Sequence, residues 1–170
     1  LVLEKPQIIP DLSPQNILDI TRDKFKKAVQ ASKPLFAWFS LTEGCDLHCK
    51  YCFADSIKPR EGELSTTEIL NIIDNIAEAG TEAIVFGGGE PALRRDLVEI
   101  VQYSSRYMSV AMNTNGQALD QHYIEQLARA GLSQIKISVD GLQETHDWNR
   151  GKGTFDKAIE GLKAAKAAGI

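Results

Sequence analysis

The sequence predicts an α/β chain of about four βα units, and three observations carry that expectation. Short apolar runs of strand length alternate four times with amphipathic helical patterns, which means parallel strands joined by right-handed crossovers. Capping residues and glycines mark the helix ends in each unit. The unusual residues all fall just after strands, the end at which parallel β/α architectures gather their sites.

In order, residues 1–12 read as an extended arm punctuated by Pro6 and Pro10. Ser13-Pro14 places a cap before proline at a first helical position, and a helix is expected over 14–31. Pro34 closes that element, so residues 1–34 form an N-terminal arm and helix, and 35–170 the β/α part. Leu35–Leu41 is a buried strand, and the cysteine stretch follows it. Residues 54–64, with Pro59 and Gly62, are loop. Ser65-Thr66-Thr67-Glu68 is a capping box, with a helix to Ala79 stopped by Gly80. A strand over 82–86 runs into Gly87-Gly88-Gly89-Glu90-Pro91, and helix 94–105 follows. Strand 107–112 ends in Asn113-Thr114-Asn115-Gly116; Asp120 caps a helix to Ala130, before Gly131. Strand 134–139 ends at Asp140-Gly141, and Thr154 is expected to cap a last helix over 155–168.

Composition limits the classes. Hydrophobic residues make up 43% and charged residues 25%, the usage of an ordinary globular chain. The net charge is −4 without a basic run, so nucleic-acid binding lacks electrostatic support. No apolar run approaches the roughly 20 residues of a membrane span, and no leader peptide is visible. Clustered free thiols suit a reducing cytoplasm. The chain starts at Leu1 and stops at Gly169-Ile170, and both ends read as cuts in something longer.

All three cysteines lie in Cys45-Asp46-Leu47-His48-Cys49-Lys50-Tyr51-Cys52. Thiolates are soft anionic ligands, and three of them can hold three irons of a cubane 4Fe–4S cluster. With no fourth cysteine, one iron is left open to an outside ligand, as in catalytic metal sites. Two other readings fit the same residues. Positions 45, 49 and 52 share one face of a helix, so the sulfurs can line a core; against this, Asp46, His48 and Lys50 interrupt the stripe. Zinc can use the three cysteines and His48, although structural zinc usually takes two separated ligand pairs. The odd count and tight spacing argue against disulfides.

The later motifs each have a plain alternative. Gly87–Pro91 is a glycine-rich strand end at which backbone approaches a ligand closely, and Glu90 can accept from a cationic amine; it is also an ordinary βα turn. It is no phosphate loop, because no Gly-Lys-Ser/Thr follows. Asn115-Gly116 is a common turn pair. Ser138 is either a ligand-facing hydroxyl or a satisfied core serine. The pair His146-Asp147 caps a loop rather than a metal, since only His48 and His122 accompany it.

Taken together these motifs resemble the radical SAM superfamily. The cysteine stretch matches C-x-x-x-C-x-aromatic-C, with Tyr51 in the aromatic slot; Asp46 and His48 stand where relatives often carry Asn and Arg. Gly88-Gly89-Glu90-Pro91 matches G-G-E-P, Thr114-Asn115-Gly116 matches T-N-G, Ser138-Val139-Asp140-Gly141 matches S-x-D-G, and His146 to Gly151 matches H-D-x-x-R-G. The resemblance implies a partial (β/α)6 TIM-like barrel, of which this chain supplies about four units. It implies that Cys45, Cys49 and Cys52 bind a 4Fe–4S cluster whose open iron takes S-adenosyl-L-methionine. An electron then cleaves the sulfonium to methionine and a 5′-deoxyadenosyl radical. Gly88, Gly89 and Glu90 are implied for the methionine amino group, Thr114 and Asn115 for the cavity wall, and Ser138 and Arg150 for the polar end, where Arg suits a carboxylate bidentately. The style is that of the branch that matures peptides or builds cofactors, haem-type pathways included, with auxiliary clusters in a C-terminal domain.

Three readings stay open on sequence alone. One is a radical SAM oxidoreductase or maturase acting on a peptide or cofactor precursor, with an external flavodoxin- or ferredoxin-type electron donor. Another is a radical SAM enzyme that modifies nucleic acid or transfers methyl groups. The third is a non-catalytic module that holds an iron–sulfur cluster or zinc.

Overall fold

The computed structural model describes residues 22–170 other than 24, 28, 32, 53, 55–57 and 60. The described positions between 22 and 30 are helical and exposed, and the arm and helix start expected before residue 22 lie outside the described residues. Strand β1 (Phe36–Thr42) is followed by α1 (Thr66–Glu78), β2 (Ala83–Gly88), a 3₁₀ turn (Pro91–Leu93), α2 (Leu97–Ser104), β3 (Ser109–Thr114), α3 (Gln121–Arg129), β4 (Leu132–Ile137), α4 (Gln143–Arg150) and α5 (Thr154–Ala168). The four strands are parallel and lie in sequence order β1-β2-β3-β4. Consecutive parallel neighbours with helical crossovers make this a partial β/α barrel wall.

Alternation along the strands separates two faces. Ile84 and Phe86 of β2 and Val110 and Met112 of β3 are fully buried and pack against α1, α2 and α3 through Ile69, Ile73, Leu97, Ile100, Ile124 and Leu127. Burying side chains of this size contributes about 1.5–3 kcal/mol each. The opposite face becomes the inside of a β/α barrel and carries a different set. Phe36 and Trp38 of β1 are 64% and 54% exposed there. By register, Trp38 aligns with Val85 of β2, then Ala111 of β3 and Gln134 of β4, and Asn113 aligns with Lys136.

Helix ends follow local chemistry. Ser65 accepts from the Glu68 amide while Glu68 accepts from the Ser65 amide, the anticipated capping box. Asp120 accepts from the Tyr123 amide at 2.7 Å. Several elements depart from expectation. The helix expected over 94–105 starts only at Leu97, because Arg94, which closes the preceding 3₁₀ turn, adopts an extended ψ of 127°. Strands expected at 107–112 and 134–139 lie at 109–114 and 132–137, so Ser138 stands one residue beyond β4. The stretch with His146 and Asp147, expected as loop, is helix α4, whose one buried side chain is His146. A helix with a single inward residue shows no apolar periodicity.

The start of α5 also differs. Thr154 is its first residue, and the N-cap is Gly153 at φ 83°, with no side chain of its own to cap. Asp147, on the preceding helix, accepts from the Gly153 and Phe155 amides at 2.8 and 2.9 Å. The capping role expected of the His-Asp pair is therefore real, and Asp147 performs it.

Candidate active site

The cysteine stretch is loop, not helix, with one tight turn closed by the Cys52 amide on the Cys49 carbonyl at 3.1 Å. Cys45 and Cys49 are half-buried, Cys52 is exposed, and all three are free thiols. The core-stripe reading fails, because the sulfurs are not packed in a core. Among the described residues no group of three His, Cys, Asp or Glu side chains is gathered tightly enough for one metal ion. A cubane places its three thiolates on three different irons, so it asks for a wider spread.

Backbone contacts seat this loop on the end of β2. The Gly89 amide donates to the Thr42 carbonyl and the Glu90 amide to the Gly44 carbonyl, each at 2.8 Å. A Cβ on Gly88, whose φ is +123°, would collide with the Thr42 carbonyl oxygen, and one on Gly89 with that of Gly44. These two glycines are thus demanded by backbone packed on backbone. The other side of the loop is framed by Glu63, which accepts from the Thr42 hydroxyl at 2.8 Å and the Glu43 amide at 2.7 Å. Arg94 donates to the Leu41 and Leu64 carbonyls and pairs with Asp96 at 2.6 Å.

Glu90 is fully buried behind the glycines. It accepts from the Thr114 hydroxyl at 2.7 Å, the Asn115 amide at 2.6 Å and the Ala92 amide at 3.0 Å. Burial pushes its carboxyl up to about 7 against the pull of these donors. The carboxylate expected for a ligand amine thus joins two loops of the wall. Asn115 in turn donates from Nδ2 to Asp46 at 2.7 Å, with Cys45 Sγ at 3.8 Å. Burial pushes the Cys45 thiol up, and the charges of Asp46 and Glu90 add to this.

A second latch comes from β4 and α4. Asp140 accepts from Arg150 Nε at 2.8 Å and from the Tyr51 hydroxyl at 2.7 Å, and Arg150 Nη2 also donates to Tyr51. Burial alone would raise the Asp140 carboxyl, but the Arg150 and Tyr51 hydrogen bonds outweigh it and hold it below its ordinary value. Arg150 Nη1 lies 4.0 Å from Cys49 Sγ. Burial pushes the Cys49 thiol up, with Arg150 opposing. The Lys50 amide donates to the Asn149 carbonyl at 3.0 Å, which ties the loop to the end of α4.

These elements enclose a cavity of about 230 Å³ at the C-terminal ends of the strands. Its wall brings together all three cysteines, Tyr51, Gly88, Gly89, Thr114, Asn115, Ser138 and Arg150. Of the eleven anticipated residues only Glu90 stands behind the wall. Trp38, Asn113 and Asp140 were not anticipated as site residues. Trp38 reads as one apolar residue of a buried strand, although an indole on the same side as a strand-end site was a usable signal. Asp140 was visible in its motif, but its partners are 10 and 89 residues away.

Fold and cavity define a partial β/α barrel with its chemistry-bearing loops at one mouth. The model of the radical SAM superfamily matches residues 39–170. The Fe-coproporphyrin III synthase of Methanosarcina barkeri is 38% identical over 160 residues, covering 92% of this chain and 38% of that protein. The mycofactocin maturase MftC of Mycobacterium tuberculosis is 34% identical over 150 residues, covering 87% of this chain and 38% of that one. In fold the chain is similar to Streptococcus suis SuiB bound to S-adenosylmethionine, with a TM-score of 0.71 at 21% identity over 96% of this chain and 39% of that one. The same protein bound to its precursor peptide SuiA gives 0.72 at 20% identity, over 98% and 39%. This chain belongs to the radical SAM superfamily, a family of enzymes that use a 4Fe–4S cluster and S-adenosylmethionine. It spans about two fifths of the length of the relatives it matches.

Proposed function

We propose that residues 35–170 are the cofactor-binding part of a radical SAM oxidoreductase or maturase, with 1–34 as a separate N-terminal arm. The observation that carries this reading is the convergence of four strand-end loops on one cavity whose wall holds all three thiols. The cavity fits the two groups. Three partly exposed thiols on one loop suit a cluster with an open iron. Tyr51, Gly88, Gly89, Thr114, Asn115, Ser138 and Arg150 suit a polar, zwitterionic cofactor beside it. When bound, cluster and cofactor supply a 5′-deoxyadenosyl radical that abstracts hydrogen from a peptide or cofactor-precursor substrate.

This chain's own residues do the positioning. Cys45, Cys49 and Cys52 hold the cluster. The backbone of Gly88 and Gly89 receives the cofactor's amine, Ser138 its polar end, and Glu90 keeps the Thr114–Asn115 turn in place from behind. Arg150 offers its guanidinium to the carboxylate, in exchange with Asp140. A peptide or tetrapyrrole substrate is supported by the relatives, named as a maturase and a coproporphyrin III synthase. A nucleic-acid substrate is disfavoured by the charge of −4. The reductant is an external one-electron donor of the flavodoxin or ferredoxin type, and the free thiols suit the cytoplasm. No helix among the described residues is long and apolar enough to cross a membrane.

Anaerobic reconstitution with iron and sulfide tests the reading. The expected result is a cluster signal in electron paramagnetic resonance and release of 5′-deoxyadenosine on reduction with S-adenosylmethionine. A protein that takes up iron but never cleaves the cofactor overturns it.

A further inference from the structure

Polar side chains at the mouth are almost all engaged with one another, whereas those just below it are not. On the inner face of β3 and β4, Asn113, Gln134 and Lys136 make no side-chain hydrogen bond, ion pair or ring contact with any described residue, and neither does Ser138 at the rim. Lys136 is the single charged residue among the strand residues of that face. It aligns with Asn113, which lines the cavity, and lies two residues, about 7 Å, below Ser138. Across the same face, three strand spacings or about 14 Å from Gln134, with which it aligns, stands the exposed ring of Trp38.

We propose that this strip is the substrate floor, and that Lys136 takes a carboxylate carried on a flat apolar group that lies against Trp38. The proposal rests on the reading that the cavity above holds cluster and cofactor. A lysine on a face that a ligand covers loses its water, and an anionic group offsets that loss better than a neutral acceptor does. The unpartnered amides of Asn113 and Gln134 are donors and acceptors left for the rest of the polar edge. The indole supplies the apolar side, where a planar group stacks.

Two carboxylate sources fit, and the test separates them. Coproporphyrin III and its tetramethyl ester are titrated by Soret absorbance into reconstituted protein with S-adenosylmethionine. A labelled, C-terminally amidated peptide, Gly-Phe-Glu-Tyr-Gly, and its glutamine counterpart are titrated by anisotropy. In at least one arm the acid is expected to bind more tightly than its neutral counterpart. Lys136→Met should weaken the acid about tenfold, leave the neutral form unchanged, and be rescued by Lys136→Arg. Dependence in the porphyrin arm assigns the carboxylate to a tetrapyrrole, and dependence in the peptide arm to an acidic side chain beside an aromatic one. Equal binding by wild type and Lys136→Met in both arms, or no binding in either, overturns the proposal. Substrate-free release of 5′-deoxyadenosine by the wild type is the control. Its absence from the wild type would instead count against the proposed function.

Discussion

Glu90 and Asn115 are joined across 25 residues of sequence by a 2.6 Å hydrogen bond from the Asn115 amide to the buried Glu90 carboxylate. The other oxygen takes the Thr114 hydroxyl and the Ala92 amide. One side chain therefore fixes two cavity walls relative to each other, and all its partners are donors.

Glu90→Gln presents an amide donor to at least one of those donors. The expected cost is about 1–3 kcal/mol of stability, read from a denaturant midpoint, with weaker S-adenosylmethionine binding. The pH dependence has a definite sign. With its folded-state value raised to about 7, the group favours the folded protein below its ordinary value near 4.5, and that contribution is lost as pH rises through 7. The wild type minus Glu90→Gln stability difference should fall across this window. A difference that does not change with pH would contradict the assignment.

Gly89→Ala forces a methyl group against the Gly44 carbonyl oxygen, one residue before Cys45. The backbone must separate there, at an expected cost of about 1–3 kcal/mol. Iron and sulfide content should fall while far-ultraviolet circular dichroism stays near wild type, because the sheet below is untouched. A fully loaded Gly89→Ala protein would show that the close approach is dispensable.

Asp140→Asn weakens the latch on Arg150 and Tyr51. A loss of about 2 kcal/mol is expected for the charged hydrogen bonds of this partly buried pair, with faster hydrogen exchange across residues 45–52. Because the Asp140 carboxyl is held below its ordinary value, its contribution is present above about 4 and lost as pH falls through the folded-state value. Cluster loss to a chelator should therefore accelerate on acidification in the wild type and respond less in the variant.

Burial pushes the Cys45 and Cys49 thiols up, yet only thiolates bind iron. Cluster loading should rise with pH between about 7 and 9. Asp46→Asn removes a charge that holds Cys45 protonated and should shift the loading curve to lower pH. The extent of loading after a fixed time, followed by absorbance, checks this.

Much of this architecture was legible in the sequence because its signals are local. The four-fold alternation, the Ser65–Glu68 box and the Asp120 cap need only a few neighbouring residues. The wall residues were legible for a related reason: all but Arg150, which ends α4, lie at or just after strand ends, and topology carries strand ends to one place. What was not legible depends on pairing. Helix α4 has no apolar stripe, since it buries His146 alone. Glu90 looked free for a ligand because its three donors come from a turn two residues on and a strand end 24–25 residues away. The inner-face status of Lys136 follows from the β3–β4 register and its irregularity between Val110 and Ala111, which no local pattern reports.

The contacts from Asp140, Asn149 and Arg150 back to residues 49–51 span about a hundred positions. On a ribosome the thiols emerge early and wait, unclamped, until β4 and α4 have been synthesised and folded back. A chain arrested before Arg150 would therefore present the three thiols with a slack grip.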